Sequence, residues 1–143
     1  MRWPWKRKDV ETGTPREQTG RAGERAAARF LGKCGHRILA RNVRYRQGEV
    51  DLVAMEKRTG TVCFVEVRSR TIPEGKDPQV PLEETITPAK RRRVISAART
   101  FLVQRGALDR PIRFDVVTVR FHGEGYKRPE IRHFPAAFDA TGR

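Results

Sequence analysis

An α/β fold with a mixed central sheet and flanking helices, in the order helix, three strands, helix, two strands, is predicted by three features of the sequence. Two segments, 20–31 and 88–105, carry apolar residues at helical spacing. Five others alternate or run apolar as strands do. The strand that ends at Arg70 and the one that begins at Ile112 are joined through the second helix, and such a strand, helix, strand connection makes the two strands parallel neighbours, whereas the short connection through Gly60 makes an antiparallel hairpin.

The elements follow in order. Residues 1–18 read as a flexible basic tail: Met1 to Lys8 hold two tryptophans and four basic residues, and Asp9 to Gln18 are polar, with Gly13 and Pro15 among them. No apolar stretch of the secretory kind occurs there. Trp3 and Trp5 suit stacking on bases and the neighbouring cations suit phosphates, while a disordered start without a specific role is the better reading of any single residue. A single domain is expected over 19–138, followed by a short tail at 139–143. Its first helix runs from Gly20, with Ala26, Ala27, Phe30 and Leu31 on one face and a stop at Lys33 to Gly35. Ile38 to Arg46 is a strand with Arg37, Arg41, Arg44 and Arg46 directed outward. After Arg70 a Pro- and Gly-containing loop extends to about Thr85. Thr87 caps the second helix, Pro88 suits its first position and Gly106 stops it, with Val94, Ile95, Ala98, Phe101 and Leu102 as its apolar stripe. Ile112 to Phe121 and Ile131 to Phe134 complete the sheet, joined through Gly123-Glu124-Gly125. Asp115, a single aspartate in a strand, is expected to be paired structurally.

The central hairpin carries the most information. Gly48 to Ala54 and Phe64 to Arg70 are joined by a polar loop at Lys57 to Gly60, and a symmetric register sets Val53 opposite Phe64, Asp51 opposite Glu66 and Glu49 opposite Arg68. The opposite face, Val50, Leu52, Ala54, Cys63, Val65 and Val67, is wholly apolar. Directly opposed like charges destabilise a sheet unless a cation intervenes. A hard divalent ion such as Mg²⁺ meets that need, because it takes one or two carboxylates and completes its shell with water and phosphate oxygens. A surface salt-bridge ladder, with Glu49 paired to Arg68 and the two acids splayed into solvent, is the alternative from the hairpin alone.

Thirty-one Lys and Arg against 17 Asp and Glu give a net charge of +14, which favours a polyanionic partner. Anionic membranes fit less well than nucleic acid, since no long apolar run or basic amphipathic helix with large aromatics is present. Lys90, Arg91, Arg92 and Arg93 crowd the first turns of the second helix, where positive charge opposes the helix dipole and invites an anion; a solvated basic face is the plainer alternative. The two cysteines, Cys34 and Cys63, make no disulfide framework and suit a reducing, cytoplasmic setting. The three histidines lack zinc-ligand spacing, and neither a phosphate-binding glycine loop nor a nucleophile elbow occurs.

Asp51 followed on the next strand by Glu66-Val67-Arg68 resembles the PD-(D/E)xK nuclease pattern. More narrowly, Gly20-Arg21-Ala22-Gly23-Glu24, the hairpin, Thr87-Pro88-Ala89-Lys90, Arg113 to Val117 and Ile131 to Pro135 resemble the YraN-like family over roughly residues 19–138. That resemblance implies a restriction-endonuclease-like fold related to Holliday junction resolvases. It further implies a metal-dependent endonuclease acting on DNA, branched or otherwise processed, with Mg²⁺ or Mn²⁺ held by Asp51 and Glu66. Arg68 and Glu24 would complete the catalytic set, and Lys90 to Arg93 with Arg70 would bind nucleic acid. One departure is plain: where active nucleases usually place lysine this chain has Arg68, which can clamp a phosphate oxygen but cannot lose its proton to act as a base. A nucleic-acid-binding module that kept the fold without the chemistry is the rival reading, and an adaptor for RNA-rich assemblies follows from charge alone. The oligomeric state is not indicated.

Overall fold

The computed structural model describes residues 13–76 and 81–143. Helix α1 (Pro15–Lys33) precedes strands β1 (His36–Tyr45), β2 (Gly48–Glu56) and β3 (Val62–Ile72); a 3₁₀ turn (Leu82–Thr85) and helix α2 (Pro88–Gln104) lead to β4 (Ile112–His122) and β5 (Glu130–Phe138). The five strands form one sheet in sequence order. Only β3 and β4 are parallel, as the intervening helix requires; the other neighbours are antiparallel. This is the mixed α/β architecture and element order expected.

Helix α1 begins at Pro15 rather than Gly20, so it takes in residues expected to be tail. The reason is local. Thr14-Pro15-Arg16-Glu17 has the Thr-x-x-Glu form of a capping box, and the Thr14 hydroxyl accepts from the Glu17 amide at 3.2 Å. The remaining tail residues 1–12, with both tryptophans, lie outside the described residues. Helix α2 is capped the same way, Lys90 N donating to Thr87 Oγ1 at 3.1 Å. The loop after β3 contains the unexpected 3₁₀ turn, anchored by the buried side chains of Leu82 and Ile86.

Both faces of the sheet are covered. Against α2 pack Val50, Val53, Phe64 and Phe114, with Phe101 of the helix edge-on to Phe64 at 5.8 Å between ring centroids. Against α1 pack Leu52, Cys63, Val65, Val117 and Phe121 with Leu31. A sheet buried on both sides needs near-continuous apolar strands, which is why Val62 to Val67 carries a single charge. The expected wholly apolar hairpin face is corrected in one respect: Val50 joins Val53 beneath α2 instead of Leu52 beneath α1. Residues three apart share a side only if the strand turns over between them. The break falls at Asp51. Opposite it on β1 the same happens at Asn42, in left-handed backbone (φ 49°), between Ala40 and Val43 on the α2 side.

Asp115 is fully buried and completely partnered. It accepts from Arg113 at 2.8 and 2.9 Å, lies 2.8 Å from His133 Nε2, and accepts from Ala136 N at 3.0 Å. The last bond explains the register slip between Phe114 and Val116: β5 bulges at Pro135, which has no amide to donate, and Ala136 turns its own amide to the carboxylate (φ 53°). Residues 139–143 close a turn, with Gly142 O accepting from Arg91 of α2 at 3.2 Å. Among the described residues no helix is long and apolar enough to cross a membrane.

Helix α2 approaches β2 at Gly48, where an added Cβ would lie 1.9 Å from the Arg93 carbonyl oxygen. Gly48→Ala is therefore expected to lower stability by at least about 1–3 kcal/mol in urea titrations. Gly20→Ala, which meets nothing within 4 Å on α1, should raise it by roughly 0.5–1 kcal/mol.

Candidate functional site

The hairpin pairs in the expected register from Met55 with Val62 to Leu52 with Val65, and there the ladder ends. Asp51 and Glu66 would be the next pair. Instead the Val67 amide donates to Asp51 Oδ2 at 2.8 Å, so a side-chain carboxylate takes a backbone donor of β3 and β2 turns away. Beyond this point β3 is paired only with β4, through Ile72 with His122. The result is a cleft between diverging strands, with α1 at one side and α2 at the other.

Two carboxylates, Asp51 and Glu66, meet at its head, and Glu24 and Glu49 flank them. Glu66 is 3% exposed and its Oε2 has no hydrogen-bond partner. Burial first, and then the touching Asp51 carboxylate, push its pKa up to about 8, against the pull of Lys90 and Arg68. Glu24 approaches from α1. Its pKa is raised by burial and by Asp51, and moderated by a hydrogen bond from Asn42 and by Arg44 and Arg21. Helix α1 gets this close because Gly23 leaves room for Ser69 of β3, whose Cβ would be 2.4 Å from a Cβ placed there. Glu49 sits further out and belongs to α2: Arg93 and Lys90 hydrogen-bond to it and hold its pKa down at about 2. Its expected pairing with Arg68 is thus corrected, because β2 has already left β3 at that height.

The basic residues divide. Lys90 Nζ reaches inward, 2.8 Å from Glu49 Oε1 and 3.8 Å from Glu66 Oε1. Arg93 forks onto Glu49, with Nε at 3.1 and 3.2 Å from its two oxygens. Arg91 turns toward the C-terminal turn and lies 5.8 Å over the Phe138 ring. Only Arg92 of this run is exposed with no described partner. Arg68 Nε is buried without a hydrogen bond, and Arg70 is exposed. A pocket of about 440 Å³ opens beside the acids, lined by Asn42, Arg44, Glu49, Asp51, Lys90 and Arg93 among others. Sequence reasoning did not single out Asn42 or the inward role of Lys90. The first has no sequence signal beyond asparagine's tolerance of left-handed backbone; the second was masked by three adjacent arginines.

Residues 23–119 match the profile described as "Uncharacterised protein family UPF0102". The chain belongs to that family. A UPF0102 protein of Anaeromyxobacter dehalogenans (strain 2CP-C) is 51% identical over 132 residues, covering 92% of this chain and 91% of the relative. A UPF0102 protein of Myxococcus xanthus (strain DK1622) is 43% identical, covering 87% and 92%, and UPF0102 protein STH1475 of Symbiobacterium thermophilum is 44% identical, covering 78% and 89%. The UPF0102 match spans Glu24, Asp51, Glu66, Arg68 and Lys90.

Among the described residues no set of three or more His, Cys, Asp or Glu side chains is arranged to close around one ion. A site built on the Asp51 and Glu66 pair alone nevertheless suits Mg²⁺, which leaves the rest of its shell to water and phosphate. The partnerless Glu66 Oε2, and the repulsion that the two acids meet once Glu66 gives up its proton, are what such an ion would satisfy. The raised pKa also has a measurable consequence without metal. A carboxyl that holds its proton in the folded state above its ordinary 4.5 contributes stability that is present below that value and lost as pH rises toward about 8. In EDTA the melting temperature should accordingly fall between about pH 5 and pH 8. Glu66→Gln should flatten the fall, and an equal slope in both proteins would remove Glu66 as its source.

Proposed function

We propose that this UPF0102 protein is a metal-dependent nuclease that hydrolyses phosphodiester bonds in DNA. The observation that carries the reading is the contact between Asp51 and Glu66, two carboxylates pressed together in a cleft of a chain with net charge +14. Structural acids are normally given cations or donors; here Glu66 has an oxygen with neither hydrogen bond nor water access, beside a second acid. Asp51 and Glu66 would hold Mg²⁺ or Mn²⁺. The ion, when bound, lowers the pKa of a water and draws off charge from the phosphate oxygens.

The chain's own residues supply the rest. Asp51 is fixed through Oδ2 by the Val67 amide, which leaves Oδ1 for a ligand. Glu24 on α1 is near enough for Asp51 to help raise its pKa, and would hold a proton or orient a ligand water. Arg68 neutralises phosphate charge without giving up a proton. Lys90 is the amine nearest Glu66 among the described residues, held by Glu49, and offsets negative charge at the acids. The second reading, a binding module without chemistry, is favoured by one observation, arginine where lysine is usual.

Labelled single-stranded, duplex, flap and four-way-junction DNA incubated with the protein in Mg²⁺, Mn²⁺ or EDTA test the reading. A metal-dependent product, lost in Asp51→Ala, is expected; no product on any substrate would favour the binding module. Arg68→Lys separates the roles of that residue: a two-pronged clamp loses single-turnover activity with lysine, whereas a residue that limits proton transfer gains it. In binding assays Arg92→Ala should flatten the slope of log affinity against log salt by about 0.7–0.9. Arg91→Ala, whose guanidinium is already engaged by Gly142 and Phe138, should leave that slope unchanged.

A further inference from the structure

Past the acids, where β3 has lost its β2 neighbour, a second pocket of about 460 Å³ opens between the start of α1, the free edge of β3 and the 3₁₀ turn. Arg16, Arg68 and Arg70 line it together with the hydroxyl residues Thr19, Ser69 and Thr85, and among the described residues no carboxylate does. Arg16 and Arg70 form no ion pair with a described residue, and Arg68 Nε is buried without a partner. Lys90, Arg93 and Arg113 are each drawn onto a carboxylate, whereas the three guanidiniums around this pocket meet none among its described lining residues.

We propose that this pocket binds the terminal phosphate monoester of a nucleic-acid strand, a statement that rests on the nuclease reading for the nature of the chain it holds. An internal phosphodiester carries one negative charge, and a single exposed cation suffices to track it. A monoester carries up to two near neutral pH and three strong acceptor oxygens, the load that several forked donors match. Arg68 lies between the two regions, attracted to Glu66 at the acids and lining the pocket beyond. That position gives arginine a reason to replace lysine: a planar guanidinium can serve the scissile side and the terminal phosphate at once, and a point-charged amine cannot. From Glu66 to Arg70 is four strand residues, about 13 Å, so a strand end seated here places the acids within a few nucleotides of it.

The test measures equilibrium binding of the full chain, in EDTA so that nothing is cut, to one single-stranded oligonucleotide made with a 5′-phosphate, with a 3′-phosphate, or with hydroxyls at both ends. One phosphorylated form is expected to bind at least about tenfold tighter, and the arm that does so gives the polarity. In Arg16→Ala with Arg70→Ala, both exposed positions, that advantage should vanish, so that the phosphorylated and hydroxyl-ended strands bind the variant within about threefold of one another. Equal affinity of wild type for all three ends overturns the proposal, and so does an advantage that survives in the double variant. Cleavage assays on closed circular DNA keep the two readings apart. Metal-dependent cutting without an end preference sinks the pocket and leaves the nuclease; an end preference without cutting in any metal sinks the nuclease and leaves a phosphate-binding pocket.

Discussion

The hydrogen bond from the Val67 amide to the Asp51 carboxylate is the constraint on which the rest of the cleft depends. A β-ladder continues as long as each backbone donor finds a backbone acceptor across the strand. Here a side chain intercepts the donor, so β3 remains satisfied while β2 is released. Everything functional in this reading lies beyond that bond: the paired acids at the fork, the pocket on the α2 side, and the arginine-lined pocket along the freed edge of β3. The two helices are brought to the fork by absent side chains, Gly48 under α2 and Gly23 under Ser69. Large residues at either point would hold the helices off and widen the cleft.

Much of the fold was legible in the sequence because binary pattern and turn chemistry agree there. The hairpin register, the cap at Thr87 and the parallel pairing across α2 all follow from rules of period two, capping and crossover. The differences have identifiable causes. Helix α1 starts early because the Thr14 hydroxyl caps the Glu17 amide within a stretch whose composition reads as tail. Val50 changes sides because alternation carries no information about where a strand turns over, and the turn at Asp51 is imposed from outside the strand by Asn42 and Val67. The bulge at Ala136 is of the same kind: Pro135 signals that a ladder bond is missing, and only the position of Asp115 tells where the next amide goes.

The candidate site was legible as residue types and less so as roles. Asp51 influences both Glu66 and Glu24, and Arg68 influences Glu66, while the basic run at the start of α2 divides, with Lys90 and Arg93 on Glu49 and the other two elsewhere. On a helix, neighbours in sequence point about 100° apart, so a run of four charges covers the whole circumference. Lys90 and Arg93, three apart, share the face that meets Glu49. Arg91 and Arg92 point elsewhere. Charge counting cannot make that distinction, and helical geometry makes it directly.

The strongest ground for regarding Glu66 as more than structural lies within the same sheet. Asp115 is also a buried carboxylate, on the adjacent strand, and it shows how this chain stabilises one. Burial raises its pKa, but His133, Arg113 and the Ala136 amide outweigh burial and hold it below the ordinary value. β5 bulges to supply one of those donors. Glu66 has been given the opposite surroundings: an acid in contact, a lysine at 3.8 Å whose nearer partner is Glu49, and one oxygen without a hydrogen bond. Leaving a buried polar atom unsatisfied costs roughly 1–3 kcal/mol and more when it is charged, and an apolar residue of similar size would remove that cost. A sheet that satisfies Asp115 completely and leaves Glu66 short of donors holds two buried acids to different standards. The difference is accounted for if Glu66 is completed by something that enters the cleft with positive charge.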